Sequence, residues 1–563
     1  MTQTRTRPGR HPTRAAARPW GRGPGTRRGV VRAQLVERLV GAAGVRVVLL
    51  AAGAGSGKTT LLAQWAEHDR RPFAWIQLDR TDDEPAVLAW DIERALDAVD
   101  VARPFVLVLD DAHVLRSPRC LALLAALADS LPPSSQLAIA SRGEPALPLA
   151  RWSVQGDLLR IGPEQLALSG PEAAALLGPD LDVDAPELQL LLRRTEGWAA
   201  GLRMAGIRLG ERARDVAVAF GGEDPLVADY LRDEVLEPLG EDLTRLLVRT
   251  SILDRLSGPL CDAVMAGSDS GAALREVARS HQFVRPLDGA PGWYGCHPLL
   301  REVLRAELRT HGAGLEGELH RRASAWYEAA GDAHGAIVHA RAAGDAARAG
   351  DLVWANLLPL LCHGRLATLA PWLAAFGENE IAALPPLAMA AAWSGLERGD
   401  LAGARRWTGI AEGAGSGRPL PGGPATVAAA AAILRAAIAS AGVAQMADDA
   451  ALGRSGSGGD GEWWALCGLL SGIALRLRGR FESAAAVLAD TERHAVSASA
   501  PYLRVRALAH LAAIAAESDD WDEAAELVGL ARAGERGGRY GDASEIEVCA
   551  VSALVQARLG QPA

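Results

Sequence analysis

The 563-residue chain has only one lysine. Of its 59 basic residues, Lys58 is the exception and the other 58 are arginine. A pressure that favoured arginine everywhere else stopped at this position, where a compact ammonium on a four-carbon stem is not replaceable by a planar guanidinium. Aromatic residues are also scarce, at 5%. Ala, Leu, Arg and Gly dominate instead, which predicts a mostly helical chain. The six cysteines, Cys120, Cys261, Cys296, Cys362, Cys467 and Cys549, are too scattered for a metal knuckle or a redox CxxC. They read as thiols in a reducing, cytoplasmic compartment. No apolar core segment marks a secretory leader near the N-terminus. The longest apolar run, Ala425–Ala444, is mostly alanine and contains Arg435. It reads as a pair of soluble helices and not as a membrane span.

Acidic residues are missing from one stretch. Residues 1–32 hold nine arginines and no Asp or Glu; with the whole chain at −9, residues 33–563 carry −18. Residues 1–30 are rich in Pro and Gly and are expected to be a disordered basic arm. Such an arm either touches nucleic acid or acidic lipid, or is a solvated tail. The acidic remainder argues against a broad nucleic-acid surface.

Against these absences, one segment is dense with chemistry. Val45–Ala51 is a short apolar run suited to a buried parallel strand. It leads into Ala52-Gly53-Ala54-Gly55-Ser56-Gly57-Lys58-Thr59, a Walker A pattern with Ala for the first Gly, and a predicted helix from Thr60 to His68. Small residues let backbone N–H groups of Gly53 through Thr60 turn inward around a phosphate chain. Lys58 adds a point charge, Thr59 a hydroxyl for Mg²⁺, and the helix start a positive dipole end.

Phe73–Leu78 reads as a second strand. Phe105–Leu109 reads as a third, ending in Asp110-Asp111, 52 residues after Lys58. That spacing fits Walker B, with Asp110 on Mg²⁺ and Asp111 polarising the attacking water. Gln136–Ala140 is a further strand, ending in Ser141-Arg142. Arg142 either reports on a γ-phosphate or forms a surface salt bridge. All these residues lie at carboxyl ends of strands, where open α/β sheets bind ligands.

The residues also resemble a family. AAGAGSGKTTLLAQW (51–65), FAWIQLD (73–79), VLVLDDAHVL (106–115) and SRGEPALPLARW (141–152) are followed by TEGWAAGL (195–202) and ADYLRDEVL (228–236). TSILDRLSGPLCDAV (250–264), HPLLREVLRAEL (297–308), Trp326-Tyr327 and AIVHARAAGD (336–345) complete the series. The chain resembles the MalT-like signal-transduction ATPases (the STAND class), the large ATP-binding regulators of the LuxR type. The resemblance implies a multidomain α/β plus α layout. A P-loop NTPase domain would span 31–164, a helical domain 165–240, a winged-helix domain 241–320, and tetratricopeptide-like repeats 321–563. It implies an ADP-bound resting state, an ATP-bound active state that permits self-association, and slow hydrolysis. An inducer or partner protein would bind the repeats. In related switch ATPases a winged-helix histidine contacts the β-phosphate of ADP. His297 is the candidate, and a structural role capping a helix is the alternative.

The repeats leave a trace of their own. Phe481 and Trp521 are 40 residues apart, as are Ala484 and Ala524, and Leu401 and Ala404 sit 80 residues before Phe481 and Ala484. Gly399, Gly479 and Ser518/Asp519 begin turns, and residues 331–336 look like an earlier unit. A turn, an apolar residue, then Ala at the crossing is how stacked helix pairs pack. Gly413–Gly423 and Gly453–Gly461 read as loops.

LuxR-type members carry a C-terminal helix-turn-helix, and no such pattern is found here after the winged-helix region. The expectation is a member without the reading head, a fragment, or a form acting through partners, with no sequence-specific DNA binding by this chain alone. Two other functions compete with the switch. One is a working ATPase of AAA-like remodelling type, completed by an arginine such as Arg151 or Arg193 from a neighbour. The other is a helical-repeat scaffold with a vestigial nucleotide site.

Overall fold

The computed structural model describes residues 29–178, 185–211, 220–280, 283–414, 420–459, 461–535 and 541–558. Most of the expected basic arm therefore lies outside the described residues. The ninth arginine of residues 1–32, just beyond that arm, is held by the fold. Arg32 is buried, pairs with Glu172 at 3.0 Å and donates to the Leu166 carbonyl at 2.7 Å.

The chain divides into two compact units, residues 1–316 and 317–563. The first is built on five parallel strands: β1 (Val47–Ala51), β2 (Phe73–Gln77), β3 (Val106–Asp110), β4 (Gln136–Ser141) and β5 (Leu158–Ile161), in the order β2-β3-β4-β1-β5. Every residue of β1, β3 and β4 is buried, as continuous apolar runs in a parallel sheet demand. Alternation sends Val47, Leu49, Leu107, Leu109, Leu137 and Ile139 to one core. Val48, Leu50, Val106, Val108, Ala138 and Ala140 go to the other.

Helices Gly170–Leu177, Ala185–Thr195 and Ala199–Glu211 follow the sheet. Helix Pro225–Leu231, capped by the Asp224 carboxylate, runs into a π-helical turn, Arg232–Leu236. Next come helix Glu241–Thr250, the short β6 (Leu256–Ser257), and helices Gly258–Met265 and Ser270–Ser280. A β-hairpin, β7 (Val284–Pro286) and β8 (Trp293–Cys296), and helix Pro298–Thr310 finish the segment. Helices followed by a small antiparallel sheet with a hairpin make a winged helix.

The second unit is helical. Gly331-Asp332, Gly344-Asp345 and Gly399-Asp400 show how one dipeptide punctuates it. Each Gly takes a positive φ (77°, 77° and 74°) to end one helix, and each Asp side chain caps the next. The 40-residue trace is realised in space. Leu401, Phe481 and Trp521 each open a helix, and Ala404, Ala484 and Ala524, three residues on, are fully buried. The partner helices approach so closely that a Cβ on Gly472 would lie 2.5 Å from Leu488 Cγ. The alanine-rich run becomes two helices, Val427–Ile438 and Val443–Ser455. Among the described residues no helix is long and apolar enough to cross a membrane.

One expected loop starts later than expected: residues 453–455 are helical and residues 456–459 are turns. The helix Val443–Ser455 runs through Gly453, because the absent side chain lets Ile433 pack there, 2.3 Å from where a Cβ would stand. The glycine serves contact and not bending.

Candidate functional site

The loop between β1 and helix Lys58–His68 stands at the carboxyl end of the sheet. Gly55 (φ 69°) and Gly57 (φ 86°) take left-handed conformations that curl it. Gly57 is the residue that caps the helix start. Lys58 is buried, and its Nζ donates to the carbonyls of Ala52 (2.7 Å) and Gly53 (3.0 Å). Burial lowers its pKa to about 8, against the pull of Asp110 and Asp111. Ser56 Oγ donates to the Gly53 carbonyl. Thr60, one turn position further, lines the cavity beside the loop.

The sheet brings the second motif to the first. β4 lies between β1 and β3, and across it Thr59 Oγ1 donates to Asp110 Oδ2 at 2.7 Å. Asp110 is buried, and burial raises its pKa despite that hydrogen bond. Asp111 follows in a left-handed conformation (φ 58°), accepting a hydrogen bond from Gln77. A hydroxyl and a carboxylate held together are the hard oxygen donors that Mg²⁺ takes. Thr59 and Asp110 therefore fit such an ion.

Arg142, at the tip of β4, is already engaged. It donates to the Glu234 carbonyl at 2.8 Å and pairs with the Glu234 carboxylate at 2.6 Å. His297 is engaged too. Its Nδ1 accepts from Leu299 N–H at 3.3 Å, so it caps helix Pro298–Thr310, and its Nε2 contacts the Thr195 carbonyl at 3.0 Å. The carbonyl can only accept, which assigns the proton to Nε2 and leaves the ring neutral. Burial keeps its pKa below the usual value. The His297 ring also borders, with Gly53, Ser56 and Phe283, a cavity of about 470 Å³. A second cavity of about 390 Å³ holds Lys58, Thr59, Asp111 and Arg142. Both volumes suit a small ligand.

Several residues at the loop were not singled out by sequence reasoning. Trp198 Nε1 donates to the Ala54 carbonyl at 2.8 Å, and Ala200 N–H donates to the Gly55 carbonyl at 3.0 Å. Tyr230 packs on Trp198 with ring centroids 5.6 Å apart, and Phe283 meets Trp198 edge to face at 5.2 Å. Arg203 lines the smaller cavity and makes no hydrogen bond or ion pair among the described residues. The segments TEGWAAGL and ADYLRDEVL held these residues in plain sight. Nothing in their spacing says that they fold back on a loop more than 140 positions earlier. Arg151, by contrast, pairs with Asp129 at 2.7 Å and does not line either cavity.

Comparison with known proteins finds relatives of the winged-helix segment and of a longer stretch of the chain. The MalT winged helix domain matches residues 232–316. The serine/threonine-protein kinase PknK of Mycobacterium tuberculosis is 28% identical over 409 residues, covering 65% of this chain and 37% of that protein. The HTH-type transcriptional regulator MalT of Klebsiella pneumoniae is 28% identical over 402 residues, covering 65% and 44%. The chain thus spans less than half the length of the curated relatives it matches. A signal transduction ATPase with a tetratricopeptide repeat sensor from Pyrococcus horikoshii overlaps 96% of this chain and 86% of its own. Its TM-score is 0.40 at 14% identity, too loose an overlap to place any residue. In residues 232–316 the chain matches the MalT winged helix domain, and over a longer stretch it is similar to MalT and PknK.

Proposed function

We propose that the chain is an ATP-binding molecular switch in signal transduction and transcription control, resting with ADP and active with ATP. The observation that carries this reading is the grip on the phosphate loop. Carbonyls of Ala54 and Gly55 are held by Trp198 and Ala200 of the helical segment, and Phe283 of the winged helix stands against Gly53. A ligand at that loop cannot bind without acting on both segments, and a ligand shifts an equilibrium only by its unequal interaction with the two states.

In this reading Lys58 exchanges its two loop carbonyls for β- and γ-phosphate oxygens. Gly53 through Thr60 supply inward N–H groups. Thr59 and Asp110 would hold Mg²⁺, which would neutralise charge on the phosphates. Asp111 orients water, Arg142 reports on the γ-phosphate, and His297 borders the diphosphate side. Hydrolysis is slow, because a switch must persist in each state. An inducer or partner protein engages the helical repeats, and the ATP form self-associates. Driving a switch from 1:99 to 99:1 takes about 5.5 kcal/mol of unequal binding, so nucleotide and inducer together supply what neither need supply alone. The setting is cytoplasmic, where ATP is available.

Calorimetry on Lys58→Ala tests the nucleotide claim: the variant keeps its fold and loses ATP, and retained ATP affinity would refute it. Turnover tests the switch claim. The purified chain should carry ADP and hydrolyse ATP well below ~1 s⁻¹. Fast turnover would point to a remodelling motor, and absence of bound nucleotide at millimolar ATP to a scaffold.

A further inference from the structure

The anionic partner of Arg142 comes from the chain itself. Arg142 holds both polar ends of Glu234, the main-chain carbonyl at 2.8 Å and the carboxylate at 2.6 Å. Glu234, Lys58 and Thr59 line the same cavity, and Glu234 adds to the negative field that favours the charged form of Lys58. A carboxylate therefore stands among the cations that await a phosphate.

Glu234 also sits in an unusual piece of backbone. It lies inside the π-helical turn Arg232–Leu236, at the head of the segment that matches the MalT winged helix domain. π-turns are rare, and are found frequently at functional sites. Because Arg142 grips the carbonyl as well as the side chain, losing Arg142 loosens the turn itself. The pair is poised for exchange. Its side chains are 20% and 38% exposed, and ion pairs in such settings are weak. A γ-phosphate offers the same guanidinium more charge and more acceptor oxygens than one carboxylate does.

We propose that Glu234 competes with the γ-phosphate of ATP for Arg142, so that ATP, but not ADP, unpins the π-turn at the head of the winged helix. ADP lacks the third phosphate and leaves the pair closed. The inference rests on the nucleotide-switch reading above and adds to it the residue that tells the two nucleotides apart.

The experiment uses the full chain with Mg²⁺, titrated by calorimetry with ADP and with AMP-PNP, a non-hydrolysable ATP analogue. Glu234→Gln removes the charge and keeps the shape. It should tighten AMP-PNP about two- to fivefold, the worth of a weak ion pair, and leave ADP unchanged. Arg142→Ala should reduce the preference for AMP-PNP over ADP, and Glu234→Gln added to it should then change nothing. Amide exchange at residues 232–236 should speed up with AMP-PNP and not with ADP. Glu234→Asp, whose shorter arm reaches Arg142 poorly, should shift AMP-PNP in the same direction as Glu234→Gln and guards against a folding defect in one variant. If Arg142→Ala lowers the preference but neither Glu234 variant raises it, the competition is wrong and the switch reading stands. If Arg142→Ala leaves the preference unchanged, Arg142 is no γ-phosphate reporter and the competition falls, while the switch reading is still decided by Lys58→Ala and by turnover.

Discussion

Two glycines of the phosphate loop provide an internal control for the grip of the helical segment. Gly55 and Gly57 both hold positive φ, at 69° and 86°. Alanine at either position pays about 1–2 kcal/mol for a left-handed conformation. They differ in what a Cβ would meet. At Gly57 nothing lies within 4 Å. At Gly55 the new atom would fall 2.5 Å from Ala200 Cβ, 2.8 Å from the Tyr230 hydroxyl and 3.2 Å from Trp198 Nε1. Comfortable carbon contacts begin near ~3.5 Å, so the clash amounts to about 1 Å. Overpacking of that kind costs about 1–3 kcal/mol. Only Ala200 and its neighbours on the next segment can relieve it, by moving off the loop.

Gly57→Ala should therefore strain the loop and leave the grip closed, whereas Gly55→Ala should open it. The readout is amide exchange at Ala200, whose N–H is bonded to the Gly55 carbonyl. A loss of about 2 kcal/mol of docking speeds that exchange about thirtyfold. Gly57→Ala should leave it close to wild type. If the two variants exchange alike at Ala200, the segment is not seated on the loop in solution, and the coupling argued here has no structural basis.

Further outcomes follow from other parts of the molecule. Asp110→Asn should keep nucleotide and lose Mg²⁺-dependent hydrolysis, and hydrolysis at the wild-type rate would remove Asp110 from the ion. Gly472→Ala should destabilise the repeats by about 1–3 kcal/mol, because its Cβ would stand 2.5 Å from Leu488. Gly529→Ala, in a helix with open space at that position, should stabilise by about 0.4–1 kcal/mol, so denaturant midpoints should move in opposite directions. His510 is buried against Arg476, Arg506 and Glu547, and burial lowers its pKa to about 4. Below the unfolded value of about 6.5 the unfolded chain takes up a proton that the folded chain refuses. Stability is thus lost as pH falls from about 6.5 toward 4, by about 2 kcal/mol at pH 5. His510→Gln should lack that share of the loss between pH 7 and pH 5, and an identical loss would refute it. DNA binding by these 563 residues should show no sequence preference and fall steeply with salt in a filter or mobility assay, since residues 33–563 sum to −18; selective binding near physiological salt would refute this.

What was legible in the sequence, and what was not, follows from how far each signal travels along the chain. Val47–Ala51, the glycines after it and Lys58 are contiguous, so composition alone shows strand, loop and charge. Asp110 was legible from 52 positions away, because an apolar strand ending in acids has one natural place in a parallel sheet. The helix pairs were legible because Gly399, Gly479 and Asp519 repeat their turn beside a buried alanine. The contacts that turn a binding loop into a coupled site carry no such signature. Trp198 reaches Ala54 across 144 positions, and Glu234 reaches Arg142 across 92. A tryptophan on a helical segment reads as core, and a glutamate two places after an arginine reads as solvated surface. Their roles are fixed only when the second segment folds back over the carboxyl edge of the sheet. Sequence pattern therefore points to the loop where phosphate is proposed to bind, because that chemistry is local. What a phosphate bound there would move depends, in the switch proposed above, on pairs such as Arg142 and Glu234, whose meeting is a property of the fold.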